Sequence, residues 1–448
     1  MKDDAYRSGS RLGAGRSAQF STEWASLLAE VRSVPGFEGF RRSRSQEAYI
    51  DAAVLGPVVV LLPSLWGCYA ILIHDSRSDA IELKVSYAEL IQLANAFLDS
   101  RRELAQSEVQ VHTLRAAADS FDATNVDRQQ YQRSKGSLQR KRIHANEQLR
   151  HVLDVLWHKV LEPILTRLNL PPTANLFDLP RLWICPAGPF TALPLHAAEA
   201  KASDAASLDS ALFRAVVSYT PSITALLEAR SRSPIHRWSA ADAADAADAA
   251  DAADAAVAIL MYNTVGQVPL PNGRAELQAV RQLMRPLSVK VLEGHRATRG
   301  NVRDQLKDAL LAHFSCHGLQ NLTNPTAGGL LMHDGILTVD QIGSGAYGGQ
   351  LAFLSACETA TGGTSIPEEA MTLASALHIR GYRQVIACMW SVYDLAAVEI
   401  VANTYSTLRK DCDGLSDAAR ALHRSACKSR STHIEYPGLW APFAHTGP

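Results

Sequence analysis

The chain has 448 residues, 47% of them hydrophobic, enough for one large core or two coupled ones. Its 44 Lys and Arg against 45 Asp and Glu leave a formal net charge of −1, which argues against broad nucleic-acid binding, because that needs a surplus of cations. The longest apolar run, Val54–Leu65, is too short for a bilayer and holds Gly56, Pro57 and Pro63, so no membrane span is expected.

The N-terminus, MKDDAYRSGSRLGAGRS, lacks the apolar core of a secretory signal. Residues 1–20 read as a disordered, solvated tail, with an Arg- and Ser-rich transit peptide as the alternative. Trp24, Leu27, Leu28 and Val31 give a short amphipathic helix that Pro35-Gly36 ends before Phe37. Strands are expected at Val58–Leu62, Ala70–Ile73 and Ile81–Val85. Residues 86–164 are mostly helical, and Leu149, Leu153, Leu156, Val160 and Ile164 fall at three- and four-residue steps on one buried face. The basic run Arg140, Lys141, Arg142 reads as solvated surface.

From residue 181 short apolar runs alternate with helical patterns: Leu182–Cys185, Ala215–Ser218, Val257–Met261, Val289–Leu292, Ala312–Ser315, Leu351–Leu354 and Val385–Met389. That alternation predicts a largely parallel sheet covered on both faces. Residues 240–256 repeat Ala-Ala-Asp, and a three-residue period holds no apolar face on a 3.6-residue spiral, so the segment reads as a surface loop. Gly329–Val339, with Asp334-Gly335 at its turn, reads as a β-hairpin, and Met371–Leu377 as a core helix. Gly343-Ser-Gly-Ala-Tyr-Gly348 matches a dinucleotide fingerprint only in letters, because it precedes a strand instead of joining strand to helix.

Seven scattered cysteines (68, 185, 316, 357, 388, 412 and 427), without CxxC or HExxH, speak against zinc sites and disulfide frameworks. With no export signal, the cytoplasm is the default compartment, and the sequon at Asn321 carries no weight there. Two strand ends stand out. The run Ala312–Cys316 finishes in His317-Gly318, and forty residues after His317 the run from Leu351 finishes in Cys357. Groups beyond the carboxyl ends of parallel strands line the binding crevice. If the two strands are neighbours, an imidazole meets a thiol, and a neighbouring imidazole raises the reactive thiolate fraction. The N–H groups of Gly318 and Cys357 are then natural oxyanion donors. The plainer alternatives are a small buried cysteine and a satisfied core histidine. His313 reads as the latter.

HFSCHG (313–318) and LAFLSACETATGG (351–363) resemble the two active-site motifs of the CHAT family, caspase-like peptidase domains related to separase. Arg181–Ala198, Val217–Leu226, Leu270–Leu277, Ala387–Asp394 and Tyr436–Phe443 are similar to further stretches of that family, and Gly56–Ile73 and Trp157–Ile164 to the front portion of fungal members. The resemblance covers roughly residues 45–447. It implies a caspase-like three-layer α/β sandwich around a mostly parallel sheet. Within a domain over 21–447, a pseudo-caspase half would span 45–235, the Ala/Asp loop 236–256 and an active half 257–447.

The resemblance also implies that His317 and Cys357 are the catalytic dyad of a cysteine endopeptidase. Asp394, 37 residues after Cys357, matches an acidic residue that selects Arg or Lys at P1 in separase-like relatives; it would equally serve as a helix N-cap. Glu358 is a candidate substrate contact or a solvated loop residue. No third triad member is identifiable, and neither metal nor organic cofactor is needed. The expected partner is a protein or peptide substrate in signalling, cell death or defence, with a TPR-type regulatory partner because relatives are commonly fused to such repeats. The rivals are a catalytically silent interaction module and another thiol acyl transfer, such as deamidation.

Overall fold

The structure, a computed structural model, describes residues 22–34, 46–120, 122, 124–201, 207–232, 256–264, 266–285, 288–319, 321, 324–356, 372–392, 394–411 and 414–448. It falls into two units, Met1–Asp51 and Ala52–Pro448. In the first, residues 22–32 and Gln46–Asp51 are helical. The expected amphipathic helix is therefore present, with Trp24 and Leu27 about half exposed (48% and 51%); Pro35–Phe37 lie outside the described residues.

The second unit carries fourteen described strands: β1 (Val58–Ser64), β2 (Gly67–His74), β3 (Arg77–Leu83), β4 (Arg181–Pro186), β5 (Val216–Tyr219), β6 (Ala256–Leu260), β7 (Val289–Glu293), β8 (Leu311–Ser315), β9 (Gly318–Leu319), β10 (Gly329–Met332), β11 (Gly335–Thr338), β12 (Leu351–Ser355), β13 (Gln384–Cys388) and β14 (Phe443–Thr446). Eleven form one sheet in the order β3-β2-β1-β4-β5-β14-β13-β12-β8-β6-β7, and β11-β10-β9 form a small second sheet. All seven apolar runs expected after residue 181 are strands. Several boundaries differ from expectation: β1 runs on to Ser64, β2 begins at Gly67, and the third strand and second hairpin are displaced. The third strand begins at Arg77 and ends at Leu83, because Asp75 and Ser76 both take positive φ (47° and 58°) and turn the chain in two residues. Its first residues are polar and edge-exposed, so hydrophobic alternation does not reveal them. The second hairpin turns at His333-Asp334, one residue early, with Met332 paired to Gly335.

Strands β1, β4, β5 and β14 run parallel, as do β13, β12, β8, β6 and β7; β13 and β14 are antiparallel, so the two groups run oppositely. β14 is the seam. Its Thr446 pairs with Tyr219, the Gly447 N–H donates to the Tyr219 carbonyl (3.0 Å), and the Trp183 Nε1–H donates to the Gly447 carbonyl (2.9 Å).

Helices α1 (Tyr87–Ala118) and α2 (Asn125–Leu156) form an antiparallel hairpin in front of the first group. Ser86 caps α1, and Thr124 with Asp127 makes a reciprocal capping box on α2. The five residues Leu149 to Ile164 on the expected apolar face are 0–1% exposed. The basic run is only partly solvated. Lys141 donates to the Ser107 hydroxyl (2.8 Å) and Arg142 to Glu108 (3.2 Å), both across the hairpin; strand and helix periodicity says nothing about which helix a cation leans on.

Helices α3 (Ile223–Ser231), α4 (Gly273–Met284), α5 (Arg299–Leu306), α6 (Leu373–Arg380), α7 (Asp394–Asp411) and α8 (Ala418–His433) complete the two covering layers. Alternation along the central strands feeds both: Ala312 and Phe314 of β8 and Ala352 and Leu354 of β12 pack with α5 and α6, whereas Leu311, Leu351 and Phe353 pack with α4, α7 and α8. Among the described residues no helix is long and apolar enough to cross a membrane, and no group of three or more His, Cys, Asp or Glu gathers as metal ligands.

Three core histidines, and the half-buried His196, stay uncharged. Burial pushes His196 and His378 down to about 4 and His423 to about 3, and holds His445 well below its usual range. The folded state thus binds fewer protons than the unfolded one, so their contribution is fully present above about 6.5 and is lost as pH falls from there toward about 4. The urea midpoint, followed by tryptophan fluorescence, is expected to stay level around neutral pH and to fall steadily across that window.

Candidate active site

β8 lies between β6 and β12, and its pairing with β12 is parallel and in register: Leu311 with Leu351 through Ser315 with Ser355. His317 follows two residues after the β8 end of the last rung. Cys357 and Glu358, the candidates that follow β12 in sequence, lie outside the described residues, which stop at Ala356.

His317 is held from two sides. Its carbonyl accepts the Leu331 N–H of β10 (2.8 Å), and its ring Nε2 lies 2.9 Å from the Val268 carbonyl. A carbonyl oxygen only accepts, so Nε2 carries the proton and Nδ1 keeps its lone pair. Burial lowers the ring's pKa below its ordinary value, and the bond to Val268 opposes part of that shift. The imidazole is 8% exposed and neutral near pH 7, a base with its free nitrogen predetermined. The Val268 carbonyl was missed in the sequence because a backbone acceptor leaves no residue-type signature.

Gly318 opens β9 and pairs with Leu330. Hydrogen-bonded and non-bonded pairs alternate in an antiparallel ladder, and His317–Leu331 is a bonded pair. Gly318–Leu330 is therefore a non-bonded one, which turns the Gly318 N–H away from β10. The amide sits beside the imidazole in a cleft of about 550 Å³ that Val268, His317, Gly318, Ser391 and Val392 help to line. Asp394 opens helix α7 two residues after Val392; its side chain lies outside the described atoms.

Beneath the rim is a buried polar network. Glu276 of α4, 2% exposed, accepts the Ser355 hydroxyl at Oε1 (2.9 Å) and the His313 Nε2–H at Oε2 (3.1 Å); His313 Nδ1 in turn accepts the Tyr405 hydroxyl (2.8 Å). His313 is thus a satisfied core histidine. Burial first, and the Glu276 charge second, raise the Tyr405 phenol far above its usual range, so it stays a donor. One carboxylate ties β12, β8 and α7 together two residues below the rim. Glu276 gets there because α4 starts hard against the strand ends: a Cβ on Gly273 would lie 2.8 Å from Ser315 Oγ and 2.9 Å from Tyr262 Cε1. Nothing in the sequence beyond the spacing within Leu270–Leu277 marked Glu276 out.

Trp390, past the end of β13, ties the rim to the helical hairpin. Its ring meets Phe97 of α1 edge-on (5.7 Å between centroids), and the Arg101 guanidinium lies 5.5 Å from its centroid while donating to the Ala145 carbonyl of α2 (2.7 Å).

Two solved structures of the Saccharomyces cerevisiae separase–securin complex share this fold. They superpose with TM-scores of 0.54 and 0.53 at 9% and 10% identity, cover 89% and 90% of this chain, and are themselves covered over only 31% and 30% of their length. This chain therefore spans less than a third of those relatives. A complex of Porphyromonas gingivalis RgpB pro- and mature domains also matches, at a TM-score of 0.39 and 9% identity over 67% of this chain and 68% of that one. No curated protein matches the sequence. The architecture is a caspase-like α/β sandwich with a large, mostly parallel central sheet. The CHAT domain model matches residues 150–448, and the chain belongs to the CHAT domain family.

Replacing Glu276 by Ala strands a half-buried hydroxyl and a fully buried imidazole N–H, and the expected loss of stability in urea unfolding is about 2–4 kcal/mol. Glu276→Gln, which keeps an acceptor oxygen, is expected to lose less than half as much.

Proposed function

We propose that this chain is a cysteine endopeptidase domain with Cys357 as nucleophile and His317 as base. The observation that carries the proposal is the rung Ser315–Ser355 in parallel strands, which ends both strands level with each other two residues before His317 and Cys357. His317 Nδ1 takes the thiol proton, and the sulfur attacks the peptide carbonyl carbon. The Gly318 and Cys357 N–H groups hold the resulting oxyanion. The imidazolium gives its proton to the leaving amine as the C–N bond breaks, leaving a thioester. A water loses a proton to Nδ1 and attacks the thioester; the carboxylic acid departs and the thiol re-forms. The Val268 carbonyl, bonded to Nε2–H, steadies the imidazolium in both half-reactions, as a carboxylate would in a triad.

Asp394 supplies the carboxylate that prefers Arg or Lys at P1, and Glu358 contacts substrate beside the nucleophile. The substrate is a protein, in signalling, cell death or defence in the cytoplasm, and a TPR-containing partner regulates the domain. Residues 21–447 form that domain, with a front half over 45–235 and an active half over 257–447. Separase, whose fold is similar, has been solved bound to securin, which is in keeping with a protein ligand here.

A thiol-directed peptide probe is expected to label the wild type at Cys357. Labelling and peptide hydrolysis should both vanish in Cys357→Ala, and hydrolysis should drop by about 10²–10⁴-fold in His317→Ala. Equal labelling of wild type and Cys357→Ala would sink the assignment. Because the folded His317 sits below its ordinary value, the base form persists under mildly acidic conditions; the acid limb of kcat/KM is expected below about pH 6.5, with activity lost as pH falls through it. Cleavage of a peptide library by Asp394→Ala should lose the preference for Arg and Lys at P1.

A further inference from the structure

Helix α1 has two working faces. Leu104 and Val111 pack on Leu138 and Ala145 of α2 and close the hairpin. A second stripe, Leu98, Arg102, Ala105, Val109 and His112, recurs at alternating four- and three-residue steps and runs on to Arg115. This stripe flanks the α2 contact, and Tyr131, Leu138 and Arg142 of α2 line the same space. The stripe forms one wall of the same 550 Å³ cleft whose other wall carries His317 and Gly318, so a single trough leads from the imidazole along the hairpin. From Leu98 to Arg115 the helix rises about 25 Å, the span of roughly seven or eight extended residues.

The chemistry of that wall is specific. Arg102, Arg115 and Arg142 line it against one carboxylate, Glu108, which is already bonded to Arg142. Arg102 and Arg115 pair with Asp99 (2.7 Å) and Asp119 (3.4 Å), neighbours on or just beyond their own helix, in ion pairs with side chains 43–67% exposed. Exposed pairs of this kind are weak, and a ligand carboxylate can take over the guanidinium. Between the cations the floor is apolar: Leu98, Ala105, Val109 and Leu138. The hairpin is also fixed, to Trp390 of the rim through Arg101 and to the segment just after α8 through the Asn146 amide, which donates to the Glu435 carbonyl (2.8 Å).

We infer that this face of the hairpin is a docking surface for an extended, acidic segment of the polypeptide substrate, with carboxylates on Arg102 and Arg115 and apolar side chains on the floor between them. The inference rests on the endopeptidase reading for what the occupant is, while its test reads binding. Nucleic acid is the less suitable occupant. Tyr131 is the one Phe, Tyr or Trp along the cleft among the described residues, and stacking platforms are what single strands use.

The experiment uses the full chain carrying Cys357→Ala and fluorescence anisotropy with three labelled probes: a twelve-residue peptide alternating Glu with Leu and Ala, its Lys counterpart, and a single-stranded oligonucleotide of equal charge to the first. The acidic peptide is expected to bind in preference to the other two. Adding Arg102→Gln and Arg115→Gln should weaken it about tenfold or more, and Arg102→Lys with Arg115→Lys should restore most of the loss, with melting curves confirming that each variant is folded. Equal affinity for acidic and basic peptides, indifference to the Gln pair, or tightest binding of the oligonucleotide would each overturn the inference. Failure of the wild type to cleave any peptide, with acidic-peptide binding intact, would instead strike the proteolytic reading and leave the surface standing.

Discussion

Everything at the candidate site depends on β8 and β12 being parallel, adjacent and in register. Parallel neighbours finish at one edge of a sheet, so whatever the chain carries just past both ends emerges on one rim. Were the pair antiparallel, the same residues would leave from opposite edges. The register is enforced from below. Glu276 accepts from Ser355 of β12 and from His313 of β8, and Gly273 lets α4 approach closely enough to reach both. A buried carboxylate is costly without partners; here two donors satisfy it, and the arrangement fixes the heights of two strands relative to each other.

His317 shows how a side chain is made ready for one task. Its backbone is tied into β10 and its outer nitrogen to the Val268 carbonyl, leaving a single nitrogen open. The environment keeps the ring uncharged. The alternation of bonded and non-bonded rungs along β9 and β10 leaves the neighbouring Gly318 amide unspent. Strand geometry, one loop carbonyl and burial thereby converge on one small volume.

Much of this could be read from residue order. The apolar runs after residue 181 became the strands of the large sheet, and His317 sits past the end of its strand as the pattern required. What escaped was structure that side-chain chemistry does not encode. The Val268 carbonyl is a backbone group. β3 is polar because it lies at an edge, so period-two hydrophobicity fades over Arg77–Ala80 just where two left-handed turn residues start the strand early. β14 is a four-residue strand, too short for a periodic signal, and its place between β5 and β13 is a long-range fact. Arg142 and Lys141 looked like solvated surface, but in a helical hairpin the partner helix decides which cations lean inward.

That short last strand has a topological consequence. It arrives from the far end of the sequence, lies antiparallel on β13, and on its other side bonds the β4–β5 strands: Gly447 with Tyr219 and Trp183, and His445 Nδ1 with the Ser218 hydroxyl at 2.8 Å. The two oppositely running strand groups are consequently buckled together by main-chain and buried side-chain bonds of β14 itself, which lie outside the stretch connecting α3 to β6. A nick in that connector would yield a two-chain molecule still clasped along its middle, because the covalent tie and the structural tie are different pieces of the polypeptide.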